Sequence, residues 1–394
     1  MRNSLRQSGA ARRLALAFAV ALVASSASAS RAQRTTEARS QSSVPQSRLA
    51  RMRRGVNLSH WFSQSRDYSE AHLREHTTRS DIELIKSLGF DHVRFPVEPA
   101  PLFDEAHPSE LNAEYLRHLD AALDMIFASG LAVVLDLHPS DEFKLKLRTD
   151  DRAVAALADF WRSLARHVSA RDPERLFLEI MNEPMVEDPY RWMGIQARVA
   201  AAVREGAPRH TIIATAPRWS AVDQLLLIEP VADGNVVYNF HFYEPHSFTH
   251  QGATWGPDFW PYLKNVPYPS SPEAVAPLLA SMSNENARGA LKGYGEERWD
   301  AARVEREIGE AAEWARTRGV ALTCNEFGVY RAYSPPASRL RWIADVRTAL
   351  ERHNIGWAMW DYAGDFGVAV RKDGRAELDP ETAAALGLKQ NRER

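Results

Sequence analysis

At 394 residues, with 45% hydrophobic and 25% charged side chains and a formal net charge of −2, the chain can bury a large core. It is too evenly charged to present a surface for nucleic acid or anionic membrane. The single cysteine, Cys324, excludes an intrachain disulfide, and its place inside an apolar run marks a small core side chain rather than a nucleophile.

Residues 1–29 have the layout of a secretory signal. Arg2, Arg6, Arg12 and Arg13 precede an eleven-residue apolar run, Leu14 to Ala24, and small residues follow as far as Ala27-Ser28-Ala29. The run is too short to cross a bilayer, so export and cleavage near Ala29 are expected, giving a secreted or periplasmic protein with no membrane span. Arg12-Arg13 would suit a twin-arginine signal, but the LALAF that follows fits an ordinary export signal better. Without this segment the balance is 45 basic to 51 acidic side chains, net −6. Residues 30–53, rich in Ser, Gln and Arg with little apolar periodicity, are predicted to be a disordered leader ahead of one domain, 54–394.

From residue 54 a rhythm begins. Short apolar runs occur at 54–59, 92–97, 132–138, 177–183, 211–216, 236–243, 321–327 and 356–362, and most are separated by segments of helical spacing. Examples are Ile82, Leu84, Ile85 and Leu88; Leu116, Leu119, Leu123 and Ile126; and Val154, Leu157, Phe160, Trp161 and Leu164. Several helices close on glycine, as at Gly89, Gly130 and Gly319. Strand and helix alternating eight times predict an α/β fold, a single (β/α)8 TIM barrel. A doubly wound sheet is the weaker alternative, because no glycine-rich loop follows the first strand. Residues 60–79 and 244–295 are long loops after strands 1 and 6. The second carries Phe248, Trp255, Phe259, Trp260, Tyr262, Tyr268 and Tyr294, rings suited either to sugar faces or to a loop core.

In such a barrel the chemistry lies at the C-terminal strand ends. Those ends carry Arg94, His138, Asn182, Glu183, His241, Tyr243, Glu326 and Trp360. Two carboxylates, Glu183 and Glu326, match the acid and base or nucleophile pair of glycoside hydrolysis, with Arg94 and Tyr243 as donors able to hold one of them ionised. Trp61 and Trp219, after strands 1 and 5, are further candidates for sugar stacking. Glu179 and Asp136, deeper in their strands, read as paired structural carboxylates. His246 and His250 lack a third ligand, so no metal and no cofactor is expected. The sequon Asn57-Leu58-Ser59 falls inside the first strand and is discounted.

These residues carry a resemblance. Arg94 in VRFP, His138 in DLHP, Asn182-Glu183-Pro184, His241 and Tyr243 in HFYEP, Glu326 in NEFG and Trp360 in WAMWDY are similar, in order, to the motifs of glycoside hydrolase family 5, the retaining cellulase-like barrels. The resemblance covers residues 54–365. It implies Glu183 as acid/base, Glu326 as nucleophile held by Arg94 and Tyr243, and Asn182 on the 2-hydroxyl. It also implies that His138 and His241 contact sugar and carboxylates and that Trp360 lies under the sugar being cleaved.

The expected activity is hydrolysis of β-glucosidic bonds by double displacement, of the endo-β-1,4-glucanase type, by a monomer acting on a polysaccharide or oligosaccharide, a β-glucan. An exo-β-1,3-glucanase, a β-glucosidase and, less readily, a β-mannanase are alternatives. A non-catalytic carbohydrate-binding barrel would not need both carboxylates and their donors. An aldolase or isomerase barrel would want a strand-end lysine or a phosphate loop.

Overall fold

The computed structural model describes residues 42–389. The predicted signal segment, 1–29, and residues 30–41 of the predicted leader lie outside the described residues. Eight parallel strands close in the order β1 to β8: β1 (Arg54–Asn57), β2 (His92–Val97), β3 (Ala132–Leu137), β4 (Leu176–Glu179), β5 (Thr211–Thr215), β6 (Val236–Phe242), β7 (Ala321–Phe327) and β8 (Gly356–Met359). Closure is made by β1, which pairs with β2 on one side and β8 on the other. All eight coincide with the predicted runs, although β4 ends at Glu179, four residues before Glu183.

The helices form where the apolar spacing places them. Asp151–Val168 buries Val154, Leu157, Phe160, Trp161 and Leu164 as one stripe. Ala301–Arg318 ends on Gly319 at φ 65°, a left-handed cap whose N–H bonds back to the last turn. After β5 a full helix is replaced by a turn, Pro217–Ser220, whose Arg218 and Trp219 are not helical, and one short helix, Val222–Leu225. The segment after β6 is partly helical, containing Pro272–Ser281 and Glu285–Glu297. A hairpin, β9 (Ala369–Lys372) with β10 (Arg375–Leu378), and a helix, Pro380–Ala385, follow β8 without a sequence signal that anticipated them.

The predicted leader needs a correction, because residues 42–53 belong to the folded unit. The Ser42 and Ser43 N–H groups bond to the carbonyls of Gly319 and Gly234, and Arg48 binds Glu174 at 2.8 Å and the Arg209 carbonyl at 2.7 Å. Val44 and Met52 pack against Ala132, Val134, Phe177, Ile213 and Val237 and so cover the N-terminal end of the barrel. Two apolar anchors in a polar stretch leave no periodicity to detect, which is why the composition suggested disorder.

Above that apolar layer the barrel interior turns polar. Asn57, Arg94, Asp136, Glu179, Asn239 and Asn325 are all buried there. Between Phe240 and His241 the β6–β7 register shifts: Cys324 pairs with Phe240, yet Glu326 pairs with His241. The extra residue is Asn325. This bulge lets two consecutive side chains, Asn325 and Glu326, both reach the interior network.

Candidate active site

Arg94 is the hub of the site. Its guanidinium, fully buried on β2, donates to Glu179 at 2.8 and 2.9 Å, to Glu326 Oε1 at 2.5 Å, to Asn182 Oδ1 at 2.9 Å and to Asn57 Oδ1 at 2.9 Å. It also lies 3.0 Å from Asp136. Burial opposes its charge, but the three carboxylates outweigh that and hold the guanidinium even more firmly protonated than usual.

The hydrogen bonds close into a ring. Arg94 donates to Asn182 Oδ1, the Asn182 amide lies 3.2 Å from His138 Nε2, and His138 Nδ1 lies 3.0 Å from Asp136 Oδ2, which returns to Arg94. This network assigns the proton of His138 to Nδ1, leaving Nε2 as acceptor. Burial, reinforced by the Lys144 charge, lowers the His138 pKa to about 3, so the ring is neutral. Burial raises Asp136 to about 6 against the pull of Arg94.

Glu326 accepts on both oxygens, from Arg94 and from the Tyr243 hydroxyl at 2.9 Å. One donor is cationic, and that is how a carboxylate rather than a carboxylic acid is bound. Glu183 is set differently. Its side chain retains 24% exposure against 6% for Glu326, and its bonded partner is His241 Nδ1 at 2.9 Å. Burial lowers His241 to about 4, so this ring is neutral and donates from Nδ1. Glu183 sits at φ 44°, a left-handed conformation costly for a residue with a side chain and common where function demands a direction. One carboxylate oxygen of Glu183, one of Glu326 and a ring nitrogen of His241 all lie within 4.8 Å of one another.

Of the predicted residues, the eight strand-end ones therefore converge. Trp360 is 8% exposed and stacks on His138, ring centroids 6.0 Å apart. Trp219, 51% exposed, belongs to a run of three left-handed residues, Arg218 to Ser220, and its N–H bonds to the Pro184 carbonyl. Trp61 is the correction. It is 1% exposed, donates to the Leu73 carbonyl at 2.7 Å and packs against Phe62 and Phe95, so it cannot lie under a sugar. The loop it belongs to folds back on itself and buries its ring.

Of the aromatic residues after β6, Phe248, Tyr268 and Tyr294 are buried, whereas Trp255 and Tyr262 are exposed. His246 and His250 stack on Trp260. Glu179 is the expected structural carboxylate, held by Arg94, Asn239 and Asn325, and Asp136 likewise lies between Arg94 and His138. Asn57, Asn239 and Asn325 were missed. The strand period that put Arg94 inward would have put Asn57 and Asn239 there too, but only the bulge accounts for Asn325.

Comparison with known proteins agrees with this geometry. Residues 53–365 match the family described as cellulase, glycosyl hydrolase family 5. Endoglucanase C of Acetivibrio thermocellus is 29% identical over 315 residues, covering 78% of this chain and 90% of that protein. Cellodextrinase A of Ruminococcus flavefaciens is 27% identical, covering 77% and 83%. The crystal structure of endoglucanase Cel5A from Thermotoga maritima superposes with a TM-score of 0.72 at 22% identity, over 87% of this chain and 99% of that one, which speaks to the fold. With a closed eightfold barrel, paired strand-end glutamates and a family match across most of its length, the chain belongs to the cellulase family, glycosyl hydrolase family 5.

Proposed function

We propose that the protein is an exported endo-β-1,4-glucanase that cleaves glucan chains with retention of anomeric configuration. The observation that carries this reading is the closeness of the two carboxylates, one oxygen of Glu183 lying within 4.8 Å of one oxygen of Glu326. Retaining glycosidases hold them about 5 to 5.5 Å apart, whereas inverting enzymes need about 6.5 to 9.5 Å to admit a water molecule.

The roles follow from the surroundings. Glu183, partly open to solvent, protonates the departing glycosidic oxygen. Glu326, held by Arg94 and Tyr243, attacks C1 and forms the glycosyl-enzyme ester; Glu183 then takes a proton from the water that hydrolyses it. The second Asn182 amide hydrogen is free for the 2-hydroxyl of the sugar, since the first faces His138. Trp360 supplies the apolar floor, and Trp219, exposed and tied through its backbone N–H to Pro184, offers a further ring for a sugar. The endo-β-1,4 assignment leans on the endoglucanases among the relatives, and export on the N-terminal signal pattern.

The test is product analysis on β-1,4-glucan, β-1,3-glucan, mannan and cello-oligosaccharides, with the anomeric form followed by NMR from the first turnover. Internal cleavage of β-1,4-glucan giving the β-anomer first is expected. Initial release of the α-anomer would reject direct attack by Glu326.

A further inference from the structure

We propose that Glu183, His241 and Glu326 form a binding site for a Zn²⁺ ion, and that the bound ion halts hydrolysis by engaging both carboxylates at once. The ion is an inhibitor here and takes no part in the reaction. The site stands on its own geometry, and only its effect on turnover rests on the glucanase reading above.

Among the described residues these three form the one group of His, Cys, Asp or Glu side chains whose ligand atoms cluster closely enough to share an ion. His241 Nδ1 lies between the two carboxylates, 2.9 Å from Glu183 Oε1 and 3.6 Å from Glu326 Oε2, and the three ligand atoms all fall within 4.8 Å of one another. Zn²⁺ holds nitrogen and oxygen ligands at about 2.0 to 2.2 Å, which sets neighbouring ligands of a tetrahedral site about 3.4 Å apart. The two distances from Nδ1 straddle that spacing. The Glu183 side chain is 24% exposed, which gives the ion a way in and the carboxylate room to close the third side.

Each ligand has capacity to spare. Glu326 accepts one hydrogen bond on each oxygen, from Arg94 and from Tyr243, so Oε2 keeps a second lone pair. His241 gives Nδ1 to the metal by moving its one proton to Nε2, which is buried with no partner, so the shift breaks no bond at that nitrogen. The charge balance also favours a cation. Among the described residues Arg94 is the one permanent cation in ion-pair range of Asp136, Glu179 and Glu326, and Glu183 adds a fourth carboxylate whose partner is an imidazole. A set of one nitrogen and two oxygens suits Zn²⁺ better than Ca²⁺ or Mg²⁺, which take oxygen ligands.

The experiment is calorimetric titration of ZnCl₂ into the full chain at pH 7 in a non-chelating buffer, repeated with Glu183→Gln, His241→Asn, Glu326→Gln and, as a control histidine outside the triad, His246→Gln, with melting temperatures recorded. The parent should take up one ion, released by EDTA. Each triad variant should weaken binding by about tenfold or more, since even the outer partners of a metal ligand carry that much, while His246→Gln binds as the parent does. On a soluble glucan, Zn²⁺ should raise the apparent KM with kcat unchanged, and EDTA should restore the parent value. Parent-like affinity in Glu183→Gln and Glu326→Gln would overturn the site, and those two variants decide the matter should His241→Asn melt early. Loss of binding in His246→Gln alone would overturn it in favour of the loop histidines. Ca²⁺ binding as tightly as Zn²⁺ would overturn the part given to His241. A chain that binds Zn²⁺ in the expected pattern yet hydrolyses no β-glucan would uphold the site and sink the glucanase reading alone.

Discussion

Arg94 and Glu326 are 232 positions apart in the chain and 2.5 Å apart in the fold. The same guanidinium holds Glu179 through two further bonds, so one side chain serves both the buried network and the carboxylate proposed as nucleophile. Breaking such a buried network leaves uncompensated charge, whereas a lysine in its place keeps the charge but cannot fork to several acceptors at once.

Arg94→Lys is therefore expected to lower kcat about a hundredfold, the scale of losing one preorganised donor, with a smaller change in KM. Steady-state kinetics on a soluble glucan measures this. Turnover within a factor of two of the parent would show that Glu326 does not depend on the forked geometry.

The two carboxylates should fail in different ways. Glu326→Gln should abolish hydrolysis of every substrate while the far-ultraviolet circular dichroism stays that of the parent. Glu183→Ala should cost about 10² to 10⁴ on a cello-oligosaccharide, whose leaving group needs a proton, and much less on a dinitrophenyl glycoside, which does not. Equal losses on both substrates would take the acid role away from Glu183.

Trp61 and Trp219 offer a contrast between structure and binding. Trp219→Ala, at an exposed ring whose residue bonds to the Pro184 carbonyl through its backbone N–H, should raise KM several-fold and leave the melting temperature unchanged. Trp61→Ala should cost about 3 to 5 kcal/mol in stability, measured by denaturant unfolding, because it empties a packed site. A stability loss for Trp219→Ala as large as that for Trp61→Ala would remove the distinction.

His92 links pH to stability. Buried beneath the active centre with neither ring nitrogen bonded, it has its pKa lowered by burial from 6.5 to about 3. Above pH 6.5 the ring is neutral in both folded and unfolded chains. As pH falls, the unfolded chain takes up a proton that the folded one refuses, so stability is lost between about 6.5 and 3. The raised carboxyls Asp136 and Glu244 act in the opposite sense over part of that window, so the informative quantity is a difference. His92→Leu should flatten the slope of unfolding free energy against pH by about 1.4 kcal/mol per pH unit. Parallel curves for parent and variant would show that His92 does not titrate between the two states.

What was legible in the sequence is what depends on neighbours along the chain. Strand runs, helix stripes and glycine caps are local, and the strand-end rule then placed Arg94, His138, Asn182, Glu183, His241, Tyr243, Glu326 and Trp360 at one rim. Packing between distant segments decided the rest. Trp61 looked available in the sequence and is enclosed by Phe62 and Phe95; Val44 and Met52 looked stranded in a polar leader and cap the barrel floor. The β6–β7 bulge that turns Asn325 and Glu326 inward together leaves no mark in residue type. A strand announces itself by period, but the approach of Glu183 to within 4.8 Å of Glu326 exists only once the sheet closes on itself, because closure alone brings β4 and β7 to face one another across the same interior.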